Sequence, residues 1–125
     1  MESILIVDDD INLCTVLSEE LTEIGYKAIF VTNADDALKK ISDDKSIDLV
    51  LLDLKMPDKD GFYVLNFLYE NKISVKVIVL TAYADVKSAI ESSRLGASDF
   101  ISKPYDLDEL IISVRRVLQQ EDNEN

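Results

Sequence analysis

Residues 3–10 read SILIVDDD, four aliphatic residues of which three (Ile4, Ile6 and Val7) are β-branched, stopped by three consecutive aspartates. An apolar run without polar alternation is the pattern of a strand covered on both faces, and such strands belong to parallel sheets. The pattern returns at residues 49–53, LVLLD, and at residues 76–80, KVIVL. These three runs should be central strands. Two less apolar runs, residues 27–31 (KAIFV) and 99–101 (DFI), complete five strand candidates.

Segments of helical period lie between them. Leu13, Leu17, Leu21 and Ile24 form the stripe of the first, and Leu107, Leu110, Ile111, Val114 and Leu118 that of the last. Stops and starts agree: Gly25 follows the first helix, Asn33 can cap the second, Gly61 precedes the third and Gly96 ends the fourth. The fourth, over residues 84–95, carries only a thin stripe of Val86, Ala89, Ile90 and Leu95 and should be the least firmly held. Strand and helix in alternation mean an α/β fold. With right-handed crossovers, the expectation is a doubly wound five-stranded parallel sheet of order 2-1-3-4-5, flanked by five helices.

The 125 residues suit one domain, expected over residues 1–120, with a polar tail or linker start at 121–125. Lys and Arg number 13 against 25 Asp and Glu, a net charge of −12, so direct nucleic-acid binding is disfavoured. No apolar run reaches the roughly 18–20 residues of a membrane span, and no signal peptide is visible. Cys14 is the single cysteine, so an internal disulfide is excluded and a cytoplasmic setting is the plain reading. The chain has no histidine, which removes histidine triads, common zinc sites and a phosphohistidine of its own.

Ligands of doubly wound sheets bind outside the carboxyl ends of the strands at the switch point, here between the first and third strands. The residues there are Asp8, Asp9 and Asp53. Neighbouring strands lie about 4.8 Å apart, so these carboxylates should converge. Like charges that close need a cation, and an all-oxygen site with room for water suits Mg²⁺ or Mn²⁺. Asp10 reads instead as the cap of the first helix. The fourth strand ends at Thr81, followed by small Ala82, and the fifth is followed by Ser102, Lys103 and Pro104. A hydroxyl and an ammonium beside a metal-bound carboxylate make a cradle for a phosphoryl group. Pro104 permits a cis peptide bond after Lys103.

The chain resembles the receiver domains of two-component response regulators over essentially its whole length. Residues 4–10 (ILIVDDD), 51–61 (LLDLKMPDKDG), 79–83 (VLTAY) and 96–105 (GASDFISKPY) carry the resemblance, in the family's order and spacing. It implies that Asp53 accepts a phosphoryl group from a histidine kinase or phosphotransfer protein. It implies too that Asp8 and Asp9 bind Mg²⁺, with Asp9 favoured as direct ligand, and that the Lys55 carbonyl completes the protein's share. Thr81 would bond the phosphoryl oxygen, Lys103 would pair with it, and Phe100 would be the rotating aromatic, where many members have tyrosine. The switched surface would be that of the fourth helix, fifth strand and last helix, controlling an output protein or attached output domain, with a phosphorylation-dependent dimer as one form. Arg94, Asp99, Arg115 and Arg116 are the charges there that could meet a partner. On this reading the chain is not an enzyme beyond its own phosphoryl uptake and hydrolysis. It departs from many members at Asp58-Lys59-Asp60, a more polar loop than usual.

Two rival readings are a phosphatase of the haloacid-dehalogenase type and a receiver-like module that takes no phosphate. The first would make Asp8 the nucleophile, but Asn12 stands where that family has Thr or Val, and no acidic pair closes the fourth strand. The second would lack an acceptor or lysine, and Asp53, Asp9, Thr81 and Lys103 are all present.

Overall fold

The computed structural model describes residues 1–120, so the expected tail at 121–125 lies outside the described residues. Five parallel strands, β1 (Ser3–Val7), β2 (Lys27–Val31), β3 (Leu49–Leu52), β4 (Lys76–Thr81) and β5 (Asp99–Ser102), stand in the order β2-β1-β3-β4-β5. The helices are α1 (Ile11–Ile24), α2 (Ala34–Asp43), α3 (Gly61–Glu70), α4 (Val86–Arg94) and α5 (Leu107–Gln119). The doubly wound α/β sheet is thus the one anticipated, with β4 and β5 each one residue longer. Among the described residues no helix is long and apolar enough to cross a membrane.

Period-two alternation along the central strands feeds two cores. Leu5, Val7, Val50, Leu52, Val77 and Val79 pack with Ala37 and Ile41 of α2, Val64 and Leu68 of α3, and Leu95 after α4. Ile4, Ile6, Leu49, Leu51, Ile78 and Leu80 pack on the other face with Cys14, Leu17 and Leu21 of α1 and Leu110, Val114 and Val117 of α5. Burying one such aliphatic side chain stabilises the fold by about 1.5–3 kcal/mol, which is why the sheet sides of α1 and α5 are set by their leucines and valines.

The caps fall where short polar side chains stand. Asp10 caps α1 by accepting from the Leu13 N–H, Asn33 caps α2 through Asp36 N–H, and Gly25 ends α1 with φ 119° in the left-handed region. Asp60 caps α3, so Gly61 is the first residue of that helix and not the one before it.

Helix α4 departs from its anticipated form. It runs from Val86 to Arg94, capped by Asp85, instead of over residues 84–95. Its buried face is also not the apolar one. Ser88, Ser92 and, just beyond the helix, Leu95 are buried, whereas Val86 and Ile90 are 75% and 64% exposed. Positions 88, 92 and 95 share a face by the spacing of four and three residues, and Leu95 in the core fixes which face that is. The Ser92 hydroxyl is buried there without a hydrogen-bond partner among the described residues.

Candidate functional site

Register builds the site. Val7 pairs with Leu52, so the residues that follow, Asp8 and Asp53, leave adjacent strand ends side by side. The Asp53 N–H still donates to the Val7 carbonyl at 2.9 Å, which ties the two ends together. Thr81 pairs with Ser102 across β4 and β5, and the Lys103 N–H donates to the Thr81 carbonyl at 2.9 Å. The four strand ends therefore deliver acid, acid, hydroxyl and amine to one edge. The Lys103–Pro104 peptide bond is cis.

Asp8, Asp9 and Asp53 each bring a carboxylate oxygen within 4.8 Å of the others, with Asp8 and Asp53 buried and Asp9 exposed. Lys103 Nζ lies 2.6 Å from Asp8 Oδ2 and 3.5 Å from Asp53 Oδ2. Main-chain donors fix the other oxygens: the Asp10 N–H donates to Asp8 Oδ1 at 2.9 Å and the Lys55 N–H to Asp53 Oδ1 at 3.2 Å.

The electrostatics follow from three acids meeting one amine. Burial pushes the Asp8 carboxyl above its ordinary value, with the Asp53 charge adding to it, against the opposing bonds from Lys103 and the Asp10 N–H. Burial alone would lower Lys103, but the bonds and charges of Asp8 and then Asp53 outweigh it and hold the ammonium above its ordinary range. The donor set is all hard oxygen and carries more negative charge than Lys103 offsets. That chemistry fits a divalent cation such as Mg²⁺ or Mn²⁺.

Thr81 is fully buried, and its hydroxyl accepts from the Tyr83 N–H at 3.1 Å, so it is held toward the β4–α4 loop. Phe100 is half-buried on β5 and lines a cavity of about 220 Å³ with Ala89, Ser92, Ala97 and Asp99. Ala82 is exposed. A larger cleft, about 470 Å³, is lined by Asp48, Ser74 and Lys76 at the amino ends of β3 and β4, away from these groups.

The polar loop after Met56 has a job for each residue that stood out. Asp58 takes φ 68°, a conformation Asp tolerates better than most residues. Lys59 pairs with Asp35 of α2 at 3.0 Å, and Asp60 caps α3. Gly61 is required by contact: a Cβ there would lie 2.4 Å from the Asp53 carbonyl oxygen and 2.8 Å from Leu54 Cα.

Cys14 donates its thiol to the Asp8 carbonyl at 3.3 Å, and burial, with the Asp8 and Asp10 charges, pushes that thiol up to about 12. It is a core residue and not a nucleophile at neutral pH. The charges considered for a partner are mostly paired within the chain. Arg94 bonds Glu91 at 2.6 Å, and Asp99 accepts from both Ser113 Oγ and Arg116 at 2.5 Å. Tyr83, whose amide holds the Thr81 hydroxyl, closes the VLTAY stretch at residues 79–83, but nothing in the sequence marks its main chain as the partner of that hydroxyl.

Comparison with known proteins agrees with this architecture. Residues 4–115 match the response regulator receiver domain. The chain is 40% identical over 116 residues to the regulatory protein AtoC of Escherichia coli K12, covering 93% of this chain and 25% of that protein. It thus spans about a quarter of that relative's length. It is 35% identical to sporulation initiation phosphotransferase F of Bacillus subtilis, covering 98% of both. Among solved structures it is similar to the Thermotoga maritima response regulator TrrA in complex with Mg²⁺ and BeF, with 38% identity, a TM-score of 0.84 and coverage of 94% and 99%. A doubly wound sheet with this edge of acids, hydroxyl and amine, matched over nearly its whole length, makes the chain a member of the response regulator receiver domain family.

Proposed function

We propose that this receiver domain takes a phosphoryl group onto Asp53 from the phosphohistidine of a sensor kinase or phosphotransfer protein, in the cytoplasm. The observation that carries the reading is the approach of Lys103 to both Asp8 and Asp53 where three carboxylates meet. An Asp53 oxygen forms the new bond to phosphorus as the bond to the donor imidazole breaks. A carboxylate needs no general base at neutral pH, which suits a chain without histidine. The work is then positioning and charge compensation. Asp8, Asp9, Asp53 and the Lys55 carbonyl would hold Mg²⁺, which supplies further charge neutralisation to the phosphoryl oxygens when bound. Lys103 pairs with the phosphoryl group, and Thr81 turns its hydroxyl from the Tyr83 N–H toward it.

Movement of Thr81 vacates space that the Phe100 ring can enter, which reshapes the surface of α4, β5 and α5. The exposed Val86, Ile90 and Ile112 lie on α4 and α5, and burial of such side chains would reward an output domain, an output protein or a second copy that docks there. The test is acetyl phosphate with Mg²⁺, followed by intact mass and location of the added group. The expected result is one phosphoryl on Asp53 and none on a folded Asp53→Asn variant. Labelling on Asp8, or undiminished labelling of Asp53→Asn, would sink the assignment.

A further inference from the structure

A hydroxyl within a helix can bond the carbonyl three or four residues back. On α1 this happens repeatedly: Thr15 donates to the Ile11 carbonyl at 2.9 Å, Ser18 to that of Thr15 at 3.0 Å and Thr22 to that of Ser18 at 2.7 Å. Ser113 of α5 is buried and donates instead to Asp99 Oδ2 at 2.5 Å. Ser92 of α4 is fully buried too, yet its hydroxyl bonds neither the Ser88 carbonyl nor any other group among the described residues. An unpaired buried hydroxyl destabilises a fold, so one kept in the interior calls for an explanation.

Ser92 lines the cavity of about 220 Å³ between α4 and β5, whose walls are not apolar throughout. Ser98 and Asp99 line it as well, and both are half-buried. Asp99 has acceptor capacity to spare. Its Oδ2 takes Ser113 and Arg116, whereas its Oδ1 takes only the Phe100 N–H at 2.8 Å, and a carboxylate offers about four acceptor sites in all. A buried water needs roughly two to four polar partners and far less room than this cavity has. A purely apolar cavity stays dry, but one that sets an orphan donor beside a carboxylate and a second hydroxyl does not. We propose that Ser92 holds an ordered water in the α4–β5 cavity, one that accepts from its hydroxyl and has Asp99 and Ser98 as its further partners. Helix α4 is then joined to the edge of the sheet partly through solvent. A group that displaces this water forfeits its bonds unless it brings an acceptor of its own to the Ser92 hydroxyl. The inference stands independently of Asp53 as acceptor.

High-resolution crystal structures of the full chain and of its Ser92→Ala variant test it. The parent should show a water within hydrogen-bond distance of Ser92 Oγ, and Ser92→Ala should lose that water while Asp99, Phe100 and Ser113 keep their places. No water at that oxygen, a Ser92 hydroxyl bonded to the Ser88 carbonyl, or a water that persists in Ser92→Ala would overturn the inference. Thermal melts give an independent reading. Replacing serine by alanine favours a helix through propensity alone, and Ser93→Ala, at the exposed lip of the same cavity, measures that gain. Ser92→Ala should raise the melting temperature less than Ser93→Ala does, because the bonds of a satisfied hydroxyl are lost with it. An equal or larger rise would show the Ser92 hydroxyl to be unpaired and would equally overturn the proposal.

Discussion

Lys103 leans toward Asp8, 2.6 Å away, and stands back from Asp53 at 3.5 Å. On the proposed reading, therefore, the ammonium at rest compensates the acid that would hold a metal more than the acid that would be phosphorylated. Asp53 keeps its other oxygen on the Lys55 N–H, so on that reading Lys103 would need only a small shift to meet a phosphoryl group.

The pH dependence of Asp8 follows from its raised pKa. The folded state favours the protonated form, so this group's contribution to stability is present below its ordinary value of 3.8 and is lost as pH rises through the folded-state value. In urea unfolding without divalent ions, the parent's stability relative to Asp8→Asn should fall across that rise, and Mg²⁺ should shrink the fall. A relative stability that climbs with pH would show the sign to be wrong. Lys103 adds a second loss only above about 10.5, where its own contribution disappears.

Mg²⁺ should raise the melting temperature by binding only the folded state. At a hundred-fold excess over Kd the gain is about 2.7 kcal/mol. Asp9→Ala should lose most of that gain while melting at or above the parent's temperature without metal, because one charge leaves a cluster of three. An undiminished shift in Asp9→Ala would move the metal elsewhere.

Gly61→Ala forces a Cβ to within 2.4 Å of the Asp53 carbonyl oxygen, against main chain that has nowhere to go. Overpacking of this kind costs about 1–3 kcal/mol. Because the atom struck belongs to the proposed acceptor, labelling by acetyl phosphate should slow as well. Parent-like labelling with lowered stability would separate the two effects and show that the acceptor's position tolerates movement.

Asp99 ties β5 to α5 through a buried hydroxyl and an exposed guanidinium, and the two bonds should not be equal. Ser113→Ala removes a partner inside the protein and should cost about 1 kcal/mol. Arg116→Ala, at a surface pair, should cost about 0.2–1 kcal/mol. Chemical unfolding of both variants reads the order, and the reverse order would mean that Arg116 carries the tie.

The central strands were legible because Ile4, Leu51 and Val79 belong to runs apolar on both faces, and the register that joins Asp8 to Asp53 follows once those runs are parallel. Thr81 was legible for the same reason, as the residue that ends such a run, and Lys103 as the amine just past the shorter and less apolar fifth run, DFI. Helix α4 was not, because a stripe count assigns Val86 and Ile90 inward, whereas Ser88 and Ser92 are small enough to take that side while Leu95 enters the core. Contacts between distant residues of ordinary type left no mark: nothing in the sequence marks Lys59 as the partner of Asp35, or Arg116 as the partner of Asp99.

Helix α4 is amphipathic the wrong way round, with hydroxyls toward the sheet and aliphatics toward water. Such a helix is keyed into the core only beyond its end, by Leu95, since no large apolar side chain between Val86 and Arg94 is buried. Turning it about its axis would exchange serines that water accepts for a valine and an isoleucine that the interior accepts. Burying either of those is worth about 1.5–3 kcal/mol, free energy that the resting fold leaves uncollected and that a rotation or a docking neighbour can draw on.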